Sequence, residues 1–387
     1  MILVILLNIR YIKRINKRNF LFFIGIIILF LIIQIYKSCE LKPILNTIFY
    51  IFASYIFCLS YINKPYKFII NLNITLRLFT LHAFISIFIY FLFHPLIYKL
   101  NINGIQYITI LNVFYYILPA DGFPRIIGLF WEPGVFQLIA NFYLFICINN
   151  GYKIKRLLWI IIVVVSTISS TGFVLLLLNA LYYVKININI KKLKISIILL
   201  LLMFLTIIPT VYNTIYNKWT NDMSGMIRQV NTIIGIKLSL AHPFVGVDTN
   251  VDKLIKNVEF NRIEEDLWGV NSPMLSTNYG TVAGGFTNGI LSLLLVWGIF
   301  IGMYFFYLFF KSRFFPSTLF AIYFLLLFIL TNMTEALTDT SFFYIFVIST
   351  FVLGRRSKIV DLQSKTKGGF QRKNIEQKPY ITDLNTV

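Results

Sequence analysis

Apolar runs close to membrane-spanning length recur along this chain and constrain its fold more than any other feature. The ten runs are 20–36, 43–62, 74–93, 132–149, 157–170, 172–184, 195–212, 287–310, 316–331 and 340–353. A helix needs about 20 apolar residues to cross a bilayer. Only 13% of the 387 residues are charged, too few to cover the surface of a soluble domain of this size. The sequence predicts an all-α, polytopic membrane protein with about ten transmembrane helices.

The positions of lysine and arginine predict how these helices are oriented. The net charge is +20, but the basic residues cluster at the ends of apolar runs, where cytoplasmic loops carry them. We therefore expect the bilayer, and no nucleic acid, as a partner. The basic N-terminus, 1–19, and the basic tail, 354–387, are predicted to be cytoplasmic, and the tail has the composition of a disordered segment. Both flanks of 157–184 are basic, so this segment should leave and return, turning at "SSTG".

Two regions fall on the predicted outer side. The first, 94–131, contains an apolar stretch at 105–118 that we expect to form a re-entrant or interfacial helix. The second is one large extracytoplasmic loop, 213–286, which separates transmembrane helices 1–7 within 20–212 from helices 8–10 within 287–353. A loop of this length is usually functional or disordered. Its tryptophan, tyrosine and apolar residues favour an ordered loop.

The stretch "DGFPRIIGLFWEPGVFQL" carries the first candidate site. Arginine near hydrocarbon is costly and usually has an anionic partner. For Arg125 that partner is either Glu132 or a substrate phosphate, whose oxygens match the planar guanidinium. Glu132 precedes Pro133 at a helix start, so it is either a helix cap or also a proton acceptor. Trp131 is either an interfacial anchor or a platform for a sugar ring.

An amphipathic helix within 222–248 carries the second candidate site. One face holds Ile227, Val230, Ile234 and Leu238, and the opposite face holds Arg228, Asn231, Thr232, Gly235 and Ser239. Either the polar face lies in water, or Arg228 faces a cavity that it shares with Arg125. Lys237 lies off the polar stripe and is the weaker candidate. His242 is either a loop residue before proline or a second candidate base.

Several chemistries are excluded by what the sequence lacks. There is no Walker A, HExxH, GxSxG or D-x-D motif, so no ATP-driven pump or metal-dependent nucleotide-sugar enzyme is expected. Cys39, Cys58 and Cys147 lie in or beside apolar runs without metal-binding spacing. The outer side has no clustered carboxylate or histidine site, so we expect no metal and no cofactor.

Four motifs, in order, resemble one enzyme family. "RIIGLFWEPGVF" resembles the R-x-x-G-x-x-x-E-P signature of Wzy-type O-antigen and capsule polymerases and of the related O-antigen ligases. "SSTGFVLLLL" resembles the family's S-x-T-G hairpin, with Ser170 where an arginine is common. "AHPFVGVD" resembles the h-P-h-h-G-h-G segment, with Asp248 in place of the second glycine. "GGFTNGILSLLLVWGIFIG" resembles the asparagine-containing helix start after the large loop.

The resemblance implies a polymerase of oligosaccharide repeat units carried on undecaprenyl pyrophosphate. Such an enzyme transfers the growing glycan to the next lipid-linked unit at the outer face of the inner membrane. It inverts the anomeric centre and uses no metal. A chain-length regulator and a flippase of the same pathway are the partners that the resemblance implies.

For this reaction we expect the following roles for individual residues. Arg125 and Arg228 would stabilise the departing pyrophosphate. Glu132 is the first choice for the base and His242 the second. The substrate-binding candidates are Trp131, Asn231, Lys237 and Asn288.

Two other functions stay open at this stage. An O-antigen ligase uses the same donor and delivers the glycan to lipid A core or to a protein, and it shares these motifs. A flippase or permease would perform no chemistry, but it should carry polar residues through its spans and have shorter loops. The two predicted outer arginines and the large polar loop favour an enzyme.

Overall fold

The computed structural model describes residues 11, 16–37, 39, 41–93, 98–102, 105–110, 113–117, 125–130, 133–187, 223–248 and 288–353. Of the described residues 76% are helical, as the sequence predicts. The predicted helix 195–212, the tail 354–387 and most of the loop 213–286 lie outside them.

Eleven α-helices and one 3-10 turn lie within these ranges. They are α1 Lys17–Tyr36, α2 Leu41–Ser60, α3 Tyr66–Leu92, α4 Pro133–Asn149, α5 Ile154–Ser166, α6 Ser170–Asn187, α7 Met223–Ala241, α8 Gly289–Trp297, α9 Ile299–Phe310, α10 Thr318–Asn332, the 3-10 turn Leu337–Asp339 and α11 Ser341–Val352. The predicted division of 157–184 into two helices is confirmed, because α5 and α6 are separate. The break lies at 167–169, and most of "SSTG" begins α6 rather than forming the turn. The crossing out and back stays a prediction. The predicted single helix 287–310 is wrong, because it breaks at Gly298 into α8 and α9.

Apolar length distinguishes three of the described helices from the rest. Helices α1, α2 and α3 are long and apolar enough to cross a membrane. Six shorter apolar segments of 10–17 residues lie in α4, α6, α7, α9, α10 and α11. This composition is compatible with a membrane protein, and the count of about ten crossings stays a prediction.

A four-stranded antiparallel sheet occupies the region predicted to hold an interfacial helix. Its strands are β1 Tyr98–Ile102, β2 Ile105–Ile110, β3 Phe114–Ile117 and β4 Arg125–Gly128, in the order β1-β2-β3-β4. The helix prediction for 105–118 is therefore wrong, and the fold is not purely helical. The stretch is rich in Ile, Tyr, Thr and Phe, which favour strands. Within it, 105–110 and 114–117 each have the length of a strand.

The chain divides into two compact units. Unit 1 comprises Met1–Phe68 and Tyr216–Gly354, and unit 2 comprises Ile69–Ile215 and Arg355–Val387. Unit 1 has a core of phenylalanine rings from α9, α10, α11 and the turn after α9. Phe315, for example, stacks on Phe346 with ring centroids 5.2 Å apart.

The core of unit 2 joins the sheet to its helices. The Tyr116 hydroxyl on β3 donates to the Ser86 carbonyl on α3 at 2.7 Å. The rings of Phe79 and Phe130 meet edge to face at 5.4 Å. These contacts hold the sheet against α3, and β4 leads through residues 129–132 to α4.

Candidate functional site

Arg125 opens strand β4 in unit 2 and reaches the turn between α5 and α6. Its side chain is half-buried, and its Nε donates to the Thr167 carbonyl at 3.1 Å. Thr167 ends α5, Ile168 follows with a φ of +47°, and Ser170 begins α6. The strand bearing the R-x-x-G-like motif therefore contacts the turn that leads into the S-x-T-G-like motif. Trp131 and Glu132 lie outside the described residues.

A buried network of neutral amides joins α4 to α6 behind this turn. The Asn141 amide donates to the Gln137 carbonyl at 3.0 Å and to the Gly172 carbonyl at 3.3 Å. The Asn179 amide donates to Asn141 Oδ1 at 3.0 Å. A Cβ on Gly172 would lie 3.3 Å from the Gln137 side chain, so a glycine suits this close helix contact. The network fixes how the two helices pack.

The proline-glycine segment after α7 lies along the helix break in unit 1. The Val247 amide donates to the Leu295 carbonyl at 2.9 Å, and the Ile299 amide donates to the Pro243 carbonyl at 2.7 Å. Gly246 and Gly298 have φ values of +71° and +79°. A Cβ on Gly246 would overlap the Leu295 carbonyl, and one on Gly298 would overlap the Phe244 carbonyl. Glycine is required at both positions for the two backbones to approach this closely.

Lys37, just after α1, lies at the same helix break. Its ammonium group donates to the carbonyls of Val296 at 2.7 Å, Leu295 at 3.1 Å and Val247 at 3.3 Å. Because the helix stops here, the last carbonyls of α8 lack partners along the helix, and Lys37 supplies one. Burial lowers the pKa of Lys37 to about 8, while the charges of Cys39 and Asp248 oppose that change.

The start of α8 is tied to the turn that follows α10. Asn288 Oδ1 accepts from the amides of Ile290 and Leu291 at 3.1 and 3.2 Å, so this side chain caps α8. Asn332 Oδ1 accepts from the amide of Thr338 at 3.1 Å, and the Thr338 hydroxyl donates to the Gly289 carbonyl. Asn288, predicted to bind substrate, therefore has a structural role as a helix cap.

Asp339 ends the 3-10 turn at this junction. The Ser292 hydroxyl, one turn into α8, donates to Asp339 Oδ2 at 2.6 Å. Burial raises the pKa of this carboxyl to about 6, and the hydrogen bond from Ser292 acts in the opposite direction. Asp339 and Lys37 were not among the predicted site residues, because each lies in a short connection between apolar runs. The signal was the stretch "TEALTD", which holds two of the few carboxylates in the chain.

The remaining predicted site residues belong to α7 and its end. The predicted helix is confirmed as Met223–Ala241. Lys237 is exposed, and His242 is half-buried, with its backbone amide donating to the Leu238 carbonyl at 3.0 Å. Arg228 and Asn231 lie on the helix, and their side chains are outside the described residues.

Burial along α7 differs from the predicted division into two faces. Ile234 and Leu238 are buried as predicted. Gly235 and Ser239, predicted on the polar face, are buried as well. Among the described side chains of α7, the exposed large hydrophobic ones are Ile233, Ile236 and Leu240. The side chains of Ile227 and Val230 lie outside the described residues. Of the two alternatives, a polar face in water does not hold at these two positions. Helix α7 packs against α8.

No family model, curated protein or solved structure matches this chain. Within the described ranges, no group of three or more His, Cys, Asp or Glu residues is arranged to hold a metal ion.

Proposed function

We propose that this protein polymerises undecaprenyl-pyrophosphate-linked oligosaccharide repeat units for a surface polysaccharide. The helices would span the cytoplasmic membrane, and the reaction would take place at its outer face. The enzyme would transfer the growing glycan to a hydroxyl of the next lipid-linked unit, with inversion and without a metal. Lipid-linked oligosaccharides and the bilayer are its partners in this proposal.

The observation that carries the proposal is the pairing of motifs distant in sequence. In unit 2, Arg125 of the R-x-x-G-like strand bonds to Thr167, beside the S-x-T-G-like helix start. In unit 1, the "HPFVGVD" segment pairs its backbone with the helix that begins at Asn288. Pairwise packing gives the glycines of these motifs a physical reason. It supports the view that the motifs form working parts rather than chance matches.

Arg125 is the residue that we assign to the pyrophosphate. Its Nε bond to the Thr167 carbonyl fixes the plane of the guanidinium group. A fixed planar fork is suited to phosphate oxygens. Because the donor already carries a good leaving group, the enzyme must chiefly position two lipid-borne substrates and stabilise charge on the departing pyrophosphate.

The test is deletion of the gene from its host, followed by gel separation of the surface glycans. We expect the ladder of long chains to collapse to one repeat unit, and the intact gene should restore it. Retention of the full ladder would contradict the proposal.

Two other gel patterns identify the alternative functions. Loss of surface attachment with retained lipid-linked polymer would identify a ligase. Accumulation of lipid-linked single units on the cytoplasmic side would identify a flippase.

A further inference from the structure

The carboxyl group of Asp339 is held in a fixed position by three connections of its turn. The amides of Leu337 and Thr338 donate to Asn332 Oδ1 at 3.0 and 3.1 Å, which ties the turn to the end of α10. The Thr338 hydroxyl donates to the Gly289 carbonyl, which ties the turn to α8. Ser292 then orients the carboxylate itself, with 2.6 Å between the two oxygens. A fixed group of this kind is suited to proton transfer, because geometry limits such a step.

Asp339 also combines accessibility with a crowded environment. It is exposed, whereas Asn332, Glu335 and Thr338 around it are buried. Its surroundings are nevertheless dense enough for burial to raise the pKa to about 6. Because the residue is exposed, a substrate hydroxyl can reach the carboxyl that Ser292 orients.

Among the described elements, few titratable groups surround Asp339. The turn packs against α8, α10 and α11, and none of these helices contains a charged residue. The titratable group facing it is the Tyr344 hydroxyl on α11, which interacts electrostatically with Asp339. Glu335 is the other carboxyl of the same connection. At neutral pH the Asp339 carboxylate is mostly ionised and is a stronger base than an ordinary aspartate.

We propose that Asp339 is the base that takes the proton from the attacking sugar hydroxyl, the role first expected of Glu132 or His242. This inference rests on the proposed polymerase function. The hydroxyl O–H bond breaks and its proton passes to Asp339, while the oxygen forms a bond to the anomeric carbon. The bond from that carbon to the pyrophosphate oxygen breaks, and its electron pair leaves with the pyrophosphate. Ser292 is a positioning residue that holds the carboxylate.

The experiment uses the purified full chain and lipid-linked repeat units extracted from a host that lacks the gene. The rate of glycosidic bond formation is measured from pH 4.5 to 8 for wild type, Asp339→Asn, Ser292→Ala and Glu335→Gln. For wild type we expect the rate to fall as the pH is lowered, with an apparent pKa near 6. Asp339→Asn, which keeps the shape of the side chain, should lose roughly 100- to 10,000-fold in rate, the usual contribution of a general base.

The two remaining variants distinguish a proton acceptor from a structural residue. In Ser292→Ala the fall of the rate at low pH, the acidic limb of the pH–rate profile, should move to higher pH. The hydrogen bond from Ser292 stabilises the carboxylate, so its loss raises the pKa of Asp339. Glu335→Gln removes a carboxyl from the same connection and should leave the limb in place. If Asp339→Asn does not fold, the direction in which Ser292→Ala moves the acidic limb decides whether Asp339 is the proton acceptor.

Three results would overturn the inference. They are an Asp339→Asn rate above a tenth of wild type, an acidic limb that persists in that variant, and a limb unmoved in Ser292→Ala. Absence of polymerisation by wild type would instead reject the polymerase function itself. The two failures are therefore distinguishable.

Discussion

The two units differ in the kind of polar group that they place among apolar helices. The described residues of unit 2 include no aspartate or glutamate, and the polar contacts described above are made by neutral amides, hydroxyl groups and Arg125. The described residues of unit 1 include Asp248, Glu335 and Asp339. Lys37 and Asp339 of unit 1 have altered pKa values. Unit 2 thus offers a fixed cation for an anionic group, and unit 1 offers groups that can exchange protons.

The two units also differ in how closely their glycines pack, and replacing these glycines gives the largest predicted effect on stability. Gly246 in unit 1 and Gly151 in unit 2 both have positive φ, but only Gly246 faces a carbonyl at its Cβ position. Gly246→Ala combines left-handed backbone strain with overlap and should cost about 3–5 kcal/mol of unfolding free energy. Gly151→Ala has the strain alone and should cost about 1–2 kcal/mol. Unfolding in detergent measures both, and equal losses would show that the backbone contact at Leu295 contributes nothing.

Arginine replacement tests the assignment of anion binding to unit 2. Arg125→Ala should shorten the glycan and lower the transfer rate roughly ten- to a hundredfold, because charge-assisted hydrogen bonds to the pyrophosphate are lost. Arg125→Lys should restore only part of the rate, because an ammonium lacks the planar fork. Chain length is measured per amount of inserted protein. A lower protein level with normal activity per molecule would reduce Arg125 to a structural residue that supports Thr167.

Arg228→Ala is the matched replacement in unit 1. If Arg228 also holds pyrophosphate, its replacement should shorten the glycan to a similar degree, roughly ten- to a hundredfold in rate. Wild-type chain length at a normal protein level would remove Arg228 from the site. Arg125 would then be the remaining arginine assigned to the donor.

The amide network should contribute to stability and not to chemistry. Asn141→Ala removes bonds to Gln137, Gly172 and Asn179, and it should cost about 1–2 kcal/mol of unfolding free energy. Activity per folded molecule should stay at the wild-type level. Asn179→Ala and the double variant complete a cycle, in which the two losses should not add because the side chains bond to each other. A shifted acidic limb of the pH–rate profile in either variant would contradict the assignment of proton transfer to unit 1 alone.

Lys37 gives the smallest predicted effect and a pH dependence. With a pKa of about 8, Lys37 should react with an amine-acylating reagent half-maximally near pH 8, and Lys37→Arg identifies the labelled peptide. Its folded pKa lies below the ordinary 10.5, so the unfolded chain binds more protons between those values. The unfolding free energy should therefore rise with pH from about 8 to 10.5 and gain nothing from Lys37 below pH 8. A half-maximal reaction near 10.5 would place Lys37 in water rather than on the carbonyls of α8.

The sequence by itself determined the helical, membrane-compatible character and most helix positions, because long apolar runs bounded by charge are a local signal. It also predicted the separation of α5 from α6, since basic residues flank both ends of that segment.

Tertiary structure decided the rest. The stretch 105–118 is a run of apolar and β-branched residues that suits a helix or a strand, and pairing with β1 and β4 settled it. Gly298 breaks a continuous apolar run because a distant segment, 243–248, supplies partners for the opened backbone. Asp339 and Ser292 lie 47 positions apart in sequence, so only the packed turn brings their oxygens together.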